Sequence, residues 1–124
     1  MKIEVSDGEI VDKLTIVEIK LSKIKDRIKL DNLRKEFEVL DGAVKEIISK
    51  DDPLYRELYD VNLKLWDIED RIRELEKNRD FGGEFIETAR SVYFTNDRRA
   101  ELKRMINEQT GSDLIEEKSY EDYS

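Results

Sequence analysis

The chain has 124 residues, the size of one domain, with 31 acidic against 23 basic residues, a net charge of -8, and neither cysteine nor histidine. Those two absences exclude disulfides, thiolate nucleophiles, zinc–thiolate and histidine-ligated metal sites and Ser-His or Cys-His pairs, so no cofactor is expected and any chemistry must run on carboxylates, amines, guanidinium groups, phenols, hydroxyls or a hard cation. The negative charge disfavours nucleic acid and anionic membranes, and no long apolar run or signal-type segment occurs, so the expected setting is cytoplasmic with no nucleic-acid or membrane partner.

Charged residues make up 44% of the chain and hydrophobic ones 38%. The apolar residues recur with strong helical periodicity, which argues against disorder, and a single proline with five glycines leaves little turn material for a β fold. The expected class is all-α: a bundle of about four long helices with coiled-coil-like packing, occupying 1–111 as one domain, followed by an acidic tail at 112–124.

In chain order, 1–5 is a short arm or small strand through Ile3 and Val5. Ser6, Asp7, Gly8 and Glu9 then form a capping box, in which the Ser6 hydroxyl takes the Glu9 amide and the Glu9 carboxylate returns to the Ser6 amide. An anion at this helix start is the alternative to an ordinary cap. Helix one follows with Ile10, Leu14, Val17, Leu21, Ile24 and Ile28, and Ile16 and Ile19 widen its stripe enough to imply burial on more than one side. A turn falls between Asp26 and Asp31. Leu33, Phe37, Leu40, Val44 and Ile47 define helix two, where Gly42 implies a bend or a close helix contact. Asp52 and Pro53 suit the cap and first turn of helix three.

Helix three is the organising stretch. Leu54, Leu58, Val61, Leu65, Ile68, Ile72 and Leu75 form one stripe, and Tyr55, Tyr59, Leu63 and Trp66 lie nearly opposite, so 54–66 must be covered from two sides. Phe81, Gly82 and Gly83 end it. Helix four starts near Glu84 with Phe85, Ile86, Ala89, Val92 and Tyr93. Its stripe is interrupted at Asn96 and Arg99, so either a fifth helix begins near Asn96 or one continuous helix carries polar groups into an interface. Gly111 closes it, and Leu114, Ile115, Tyr120 and Tyr123 in the tail are free to dock.

The pairs Glu9 with Asp12, Glu57 with Asp60, and Glu84 with Glu87 each place two carboxylates on one helix face, the arrangement with which all-α nucleotide pyrophosphohydrolases hold magnesium. Composition alone supplies roughly seven such pairs, and the order of the 57–60 and 84–87 pairs is the reverse of those enzymes. Tyr55, Tyr59 and Trp66 read as core or subunit interface before they read as a ligand pocket. Buried asparagine or arginine must find partners, so Asn62, Asn96 and Arg99 set register or oligomeric state, or else hold a ligand. Should a ligand bind, Arg90, Tyr93, Asn96 and Arg99 are the candidate residues, and its class would be an anion.

Together, the segments SDGEIVDKLTIVEIKLSKI at 6–24, LWDIEDRIRELE at 65–76, ARSVYFTNDRRAELKRMIN at 89–107 and GSDLIEEKSY at 111–120 resemble a family of small proteins of unknown function found in bacteria and in marine phages or their metagenomes. The resemblance implies a small helical domain and transfers no catalytic residue. The expected function is a helical oligomerisation or partner-binding module without catalysis, a homo-oligomer built through two-faced helices. The alternative is a magnesium-dependent hydrolase of the pyrophosphohydrolase kind, with Glu57, Asp60, Glu84 and Glu87 as ligands.

Overall fold

Helix starts follow local side-chain chemistry. In the computed structural model, which describes residues 1–117, the Ser6 hydroxyl accepts the Glu9 amide at 3.2 Å and opens α1 (Asp7–Lys23). Asp26 accepts the Lys29 amide at 3.0 Å and opens α2 (Arg27–Lys45). Asp52 accepts the Leu54 amide at 2.9 Å, and Pro53 takes the first turn of α3 (Pro53–Lys77), where its missing N–H costs nothing. α4 (Gly83–Thr110) ends at Gly111, whose φ of 68° lies in the left-handed region that glycine enters without a Cβ penalty. These are the four helices of the described residues, an all-α bundle as expected. Residues 1–5 take no regular structure, so Ile3 and Val5 form no strand and remain exposed.

The organising element is α1, not α3. Among the described residues α1 packs against each of the other three helices, α3 and α4 pair with each other, and α2 lies along α1 alone. Burial explains the arrangement, because Val11, Leu14, Val17 and Ile19 are buried together with Gly8, Asp12 and Thr15, which surround the axis rather than forming one stripe. Val11 and Leu14 meet Val44, Ile48, Tyr55, Leu58, Leu102 and Ile106 in the main core. Each such side chain, fully buried, contributes about 1.5–3 kcal/mol.

α4 runs antiparallel to α1, since Gly8 lies against Lys103 and Asn107 while Asp12 reaches back to Arg99. It also runs antiparallel to α3, because Gln109 bonds Asp52, Arg98 bonds Glu57 and Arg71 bonds Glu84. At 1.5 Å per residue, the 17 residues of α1 span about 25 Å and the 28 of α4 about 42 Å. With α1 starting opposite Asn107, the last turns of α3 and the first of α4 extend beyond it as a two-helix arm. Arg71 and Glu84 join the arm through paired bonds of 2.6 and 2.7 Å, and Phe81 and Phe85 meet edge to face with centroids 5.2 Å apart.

One of the two alternatives for α4 holds, and two local expectations change. α4 continues without a break through Asn96, because Arg99 finds a carboxylate on α1 and the polar interruption is an interface rather than a helix end. The capping box closes only on one side: Glu9 turns instead to Lys103 Nζ at 2.5 Å, and the Ser6 hydroxyl donates to Glu116. Gly42 does not interrupt α2 and approaches no other helix closely, since a Cβ there would meet nothing within 4 Å. The close approach is at Gly8, where a Cβ would stand 2.4 Å from the Lys103 carbonyl oxygen.

The chain beyond Gly111 returns to the start of α1. The Asp7 amide donates to the Ser112 hydroxyl at 3.0 Å, and Glu116 faces Lys103 at 3.6 Å. Tyr120 and Tyr123 lie outside the described residues.

The two glycines are therefore expected to respond oppositely to alanine. Gly8→Ala forces the α1–α4 crossing apart and costs about 1–3 kcal/mol, whereas Gly42→Ala gains about 1 kcal/mol of helix propensity at an exposed site. Urea unfolding of both variants checks this, and equal effects at the two positions would refute the assigned crossing.

Candidate functional site

Asp12 and Thr15 lie one turn apart on α1 and extend toward its start the face that carries Ile16 and Ile19. Asp12 is only 1% exposed, and a carboxylate so buried must be matched nearly bond for bond. Arg99 of α4 supplies a two-point contact, Nε donating to Oδ1 at 2.9 Å and Nη2 to Oδ2 at 2.6 Å. Asn62 of α3 donates through Nδ2 to Asp12 Oδ1 at 2.9 Å and to Thr15 Oγ1 at 2.8 Å. The Thr15 hydroxyl in turn donates to the Asp12 carbonyl at 2.7 Å. Three helices are thus joined at one carboxylate. The Asp12 hydrogen bond holds the Arg99 guanidinium above its usual pKa, outweighing the opposing effect of burial.

Beside this junction a cavity of about 550 Å³ opens between α1, α3 and α4. Ile16, Ile19, Leu65 and Trp66 form its apolar walls, Asn62, Asn96 and Arg99 its polar wall, and Glu69, Asp70 and Arg73 its rim. Arg73 pairs with Glu69 at 3.3 Å.

Of the residues singled out for an anion, Asn96 and Arg99 border the cavity and Arg90 and Tyr93 do not. Nine residues of α-helix make two and a half turns, so Arg90 points away from the side that carries Arg99. Arg90 pairs with Glu87 at 3.2 Å, and its pKa is raised first by Tyr93 and then by Glu87. The Arg99 charge is already matched by Asp12.

The candidate metal ligands are distributed along α3 and α4. Glu57 accepts from Arg98 Nε at 3.0 Å, Glu84 is held by Arg71, Glu87 by Arg90, and Asp60 is exposed. Glu57 and Arg98 lie 14 residues from the Arg71–Glu84 crossing, which keeps the two carboxylate pairs about 20 Å apart. Among the described residues no three acidic side chains gather into a metal cage. In the remaining acidic pair, Glu9 faces Lys103 and Asp12 faces Arg99.

Asp12 and Thr15 escaped the sequence reading as partners for Asn62 and Arg99. The signal was present, because the stripe of Ile16 and Ile19 runs onto them one turn earlier. A second polar cluster also went unseen. Glu18 accepts from the Tyr55 hydroxyl and faces Lys50 at 3.7 Å, while Lys50 Nζ approaches Asp41 at 2.7 Å and stands 5.0 Å from the centre of the Phe37 ring. Burial raises the Glu18 pKa above 4.5 more than Lys50 lowers it.

Two expectations follow from these clusters. Arg99→Leu strands the Asp12 charge and is expected to cost about 3–5 kcal/mol, while joint Asp12→Leu and Arg99→Leu recovers most of the loss. A double-mutant cycle by denaturant unfolding measures this; additive single effects would show that the pair is not coupled. For Glu18, the folded state binds the proton more tightly than the unfolded state. The stability advantage of wild type over Glu18→Gln should therefore fall as pH rises through 4.5 and level off above the raised folded value. A difference that grows with pH would make the Lys50 attraction, and not burial, the dominant influence.

No helix among the described residues is long and apolar enough to cross a membrane. No curated protein and no solved structure matches the chain. A family model does match, over residues 1–123, and the chain belongs to that family, the family of unknown function DUF6165.

Proposed function

We propose that the protein is a non-catalytic helical module that assembles with a second copy of itself through the α3–α4 arm. The observation that carries this is the uncovered end of the arm, where Phe81 is 53% and Ile86 54% exposed beside Phe85. α3 and α4 bury Ile68 and Leu75 within the arm, while α1 is too short to cover its outer sides. Two such hairpins laid against one another form a four-helix arrangement around a two-fold axis, in which each apolar tip finds its own image. The arm carries charges of both signs, with Arg71, Arg73 and Lys77 interspersed among Glu69, Glu74 and Glu76, which supports a paired rather than a mutually repelling surface.

Sedimentation of the purified chain across micromolar to high micromolar concentration is expected to show a dimer. Phe81→Asp with Ile86→Asp should raise its dissociation constant at least about tenfold and leave the helical circular dichroism unchanged. A strict monomer throughout that range would end this proposal.

A further inference from the structure

The cavity beside the Asp12 junction is built within one chain, lies away from the apolar tip of the arm at Phe81 and Ile86, and shares only the rim residues Glu69 and Arg73 with the charged side of the arm. Three side chains on its wall retain hydrogen-bonding capacity that no described residue uses. Asn62 is 5% exposed and commits Nδ2 to Asp12 and Thr15, yet its Oδ1 accepts no hydrogen bond among the described residues. Arg99 commits Nε and Nη2 to Asp12 and keeps Nη1. Asn96 borders the same space, and its side-chain amide bonds no described residue. An accessible acceptor on a nearly buried side chain, with donors beside it and next to an indole and the branched chains of Ile16, Ile19 and Leu65, matches a flat molecule whose edge alternates donor and acceptor.

Size and charge narrow the class. About 550 Å³ lies within the usual range for small-ligand sites, roughly 300–1,000 Å³. The Arg99 charge is cancelled by Asp12 and that of Arg73 by Glu69, which leaves Asp70 as the rim charge with no ion-pair partner among the described residues. Such a rim disfavours a phosphate. We propose that the cavity binds an uncharged nucleobase-type heterocycle, as the free base or the nucleoside, with Asn62 Oδ1 accepting from the ring edge, Asn96 and Arg99 donating to it, and Trp66 flanking its face.

Trp66 is the single tryptophan of the chain, so its fluorescence reports on this cavity directly. Titrating the full chain with adenosine, guanosine, cytidine and uridine should give saturable quenching for at least one of them, with a dissociation constant below about 1 mM. The corresponding 5′-monophosphate should bind at least about tenfold more weakly, and the free base separates ring recognition from ribose contacts. Asn96→Leu should weaken the nucleoside about tenfold while the melting temperature holds, because Asn96 makes no side-chain bond to the described residues. Should that variant melt lower, exposed Asp70→Asn provides the second arm, narrowing the gap between nucleoside and monophosphate. The proposal is overturned by the absence of saturable quenching for all four nucleosides, by a monophosphate that binds more tightly than its nucleoside, or by a gap that Asp70→Asn leaves unchanged. Because the cavity lies within one chain, a monomeric protein would remove the dimer proposal without touching this one.

Discussion

A carboxylate out of reach of water is the constraint from which the arrangement of this bundle follows. Asp12 must be met from two directions at once, and only a guanidinium on α4 and an amide on α3, each at one height along its helix, can meet it. Apolar stripes of leucine and isoleucine slide past one another by a turn at modest cost. A two-point contact does not, since a shift of one turn leaves a buried charge unmatched. The same constraint accounts for the uninterrupted course of α4, whose apolar stripe gives way at Asn96 and Arg99 because the chain needs those groups facing inward.

Around that point the helices differ in purpose. α1 is the shortest and is enclosed by the others, while α3 and α4 are long enough to surround part of it and still run on together. The cavity beside Trp66 lies on the same side of the bundle as the polar junction, and its wall inherits the rigidity of that junction. Asn62 and Arg99 are already held by Asp12 and Thr15, so the groups they turn toward the cavity are oriented before anything enters it.

Much of the fold was legible because helix ends are local. Ser6, Asp52 with Pro53, and Gly111 act within three or four residues of themselves, and each marks a boundary in the structure; the turn expected over Asp26–Asp31 instead closes by Asp26, so that Ile28 belongs to α2 and not to α1. Helix three drew attention because its pattern is the longest, yet length of pattern does not measure enclosure; the shorter helix with residues buried on all sides is the centre. Gly8 could not be distinguished from an ordinary cap glycine, because the carbonyl that excludes a side chain there belongs to a residue nearly a hundred positions away. Asn62, Asn96 and Arg99 stood out as polar groups on apolar stripes. Arg90 lies about half a turn round α4 from Arg99, and neither it nor Tyr93 borders the cavity.

The bonds that complete the start of α1 come from the far end of the chain: Gly8 donates its amide to Asn107 at 2.6 Å, across 99 positions, and Asp12 meets Arg99 across 87. Neither bond can be made within α1 itself, so the start of that helix is completed only by α4. Loop closure of that length is slow relative to forming any one helix. Docking of α1 on α4 is accordingly the long-range step of this fold, whereas α1 and α2, neighbours in sequence, can pack on each other without it.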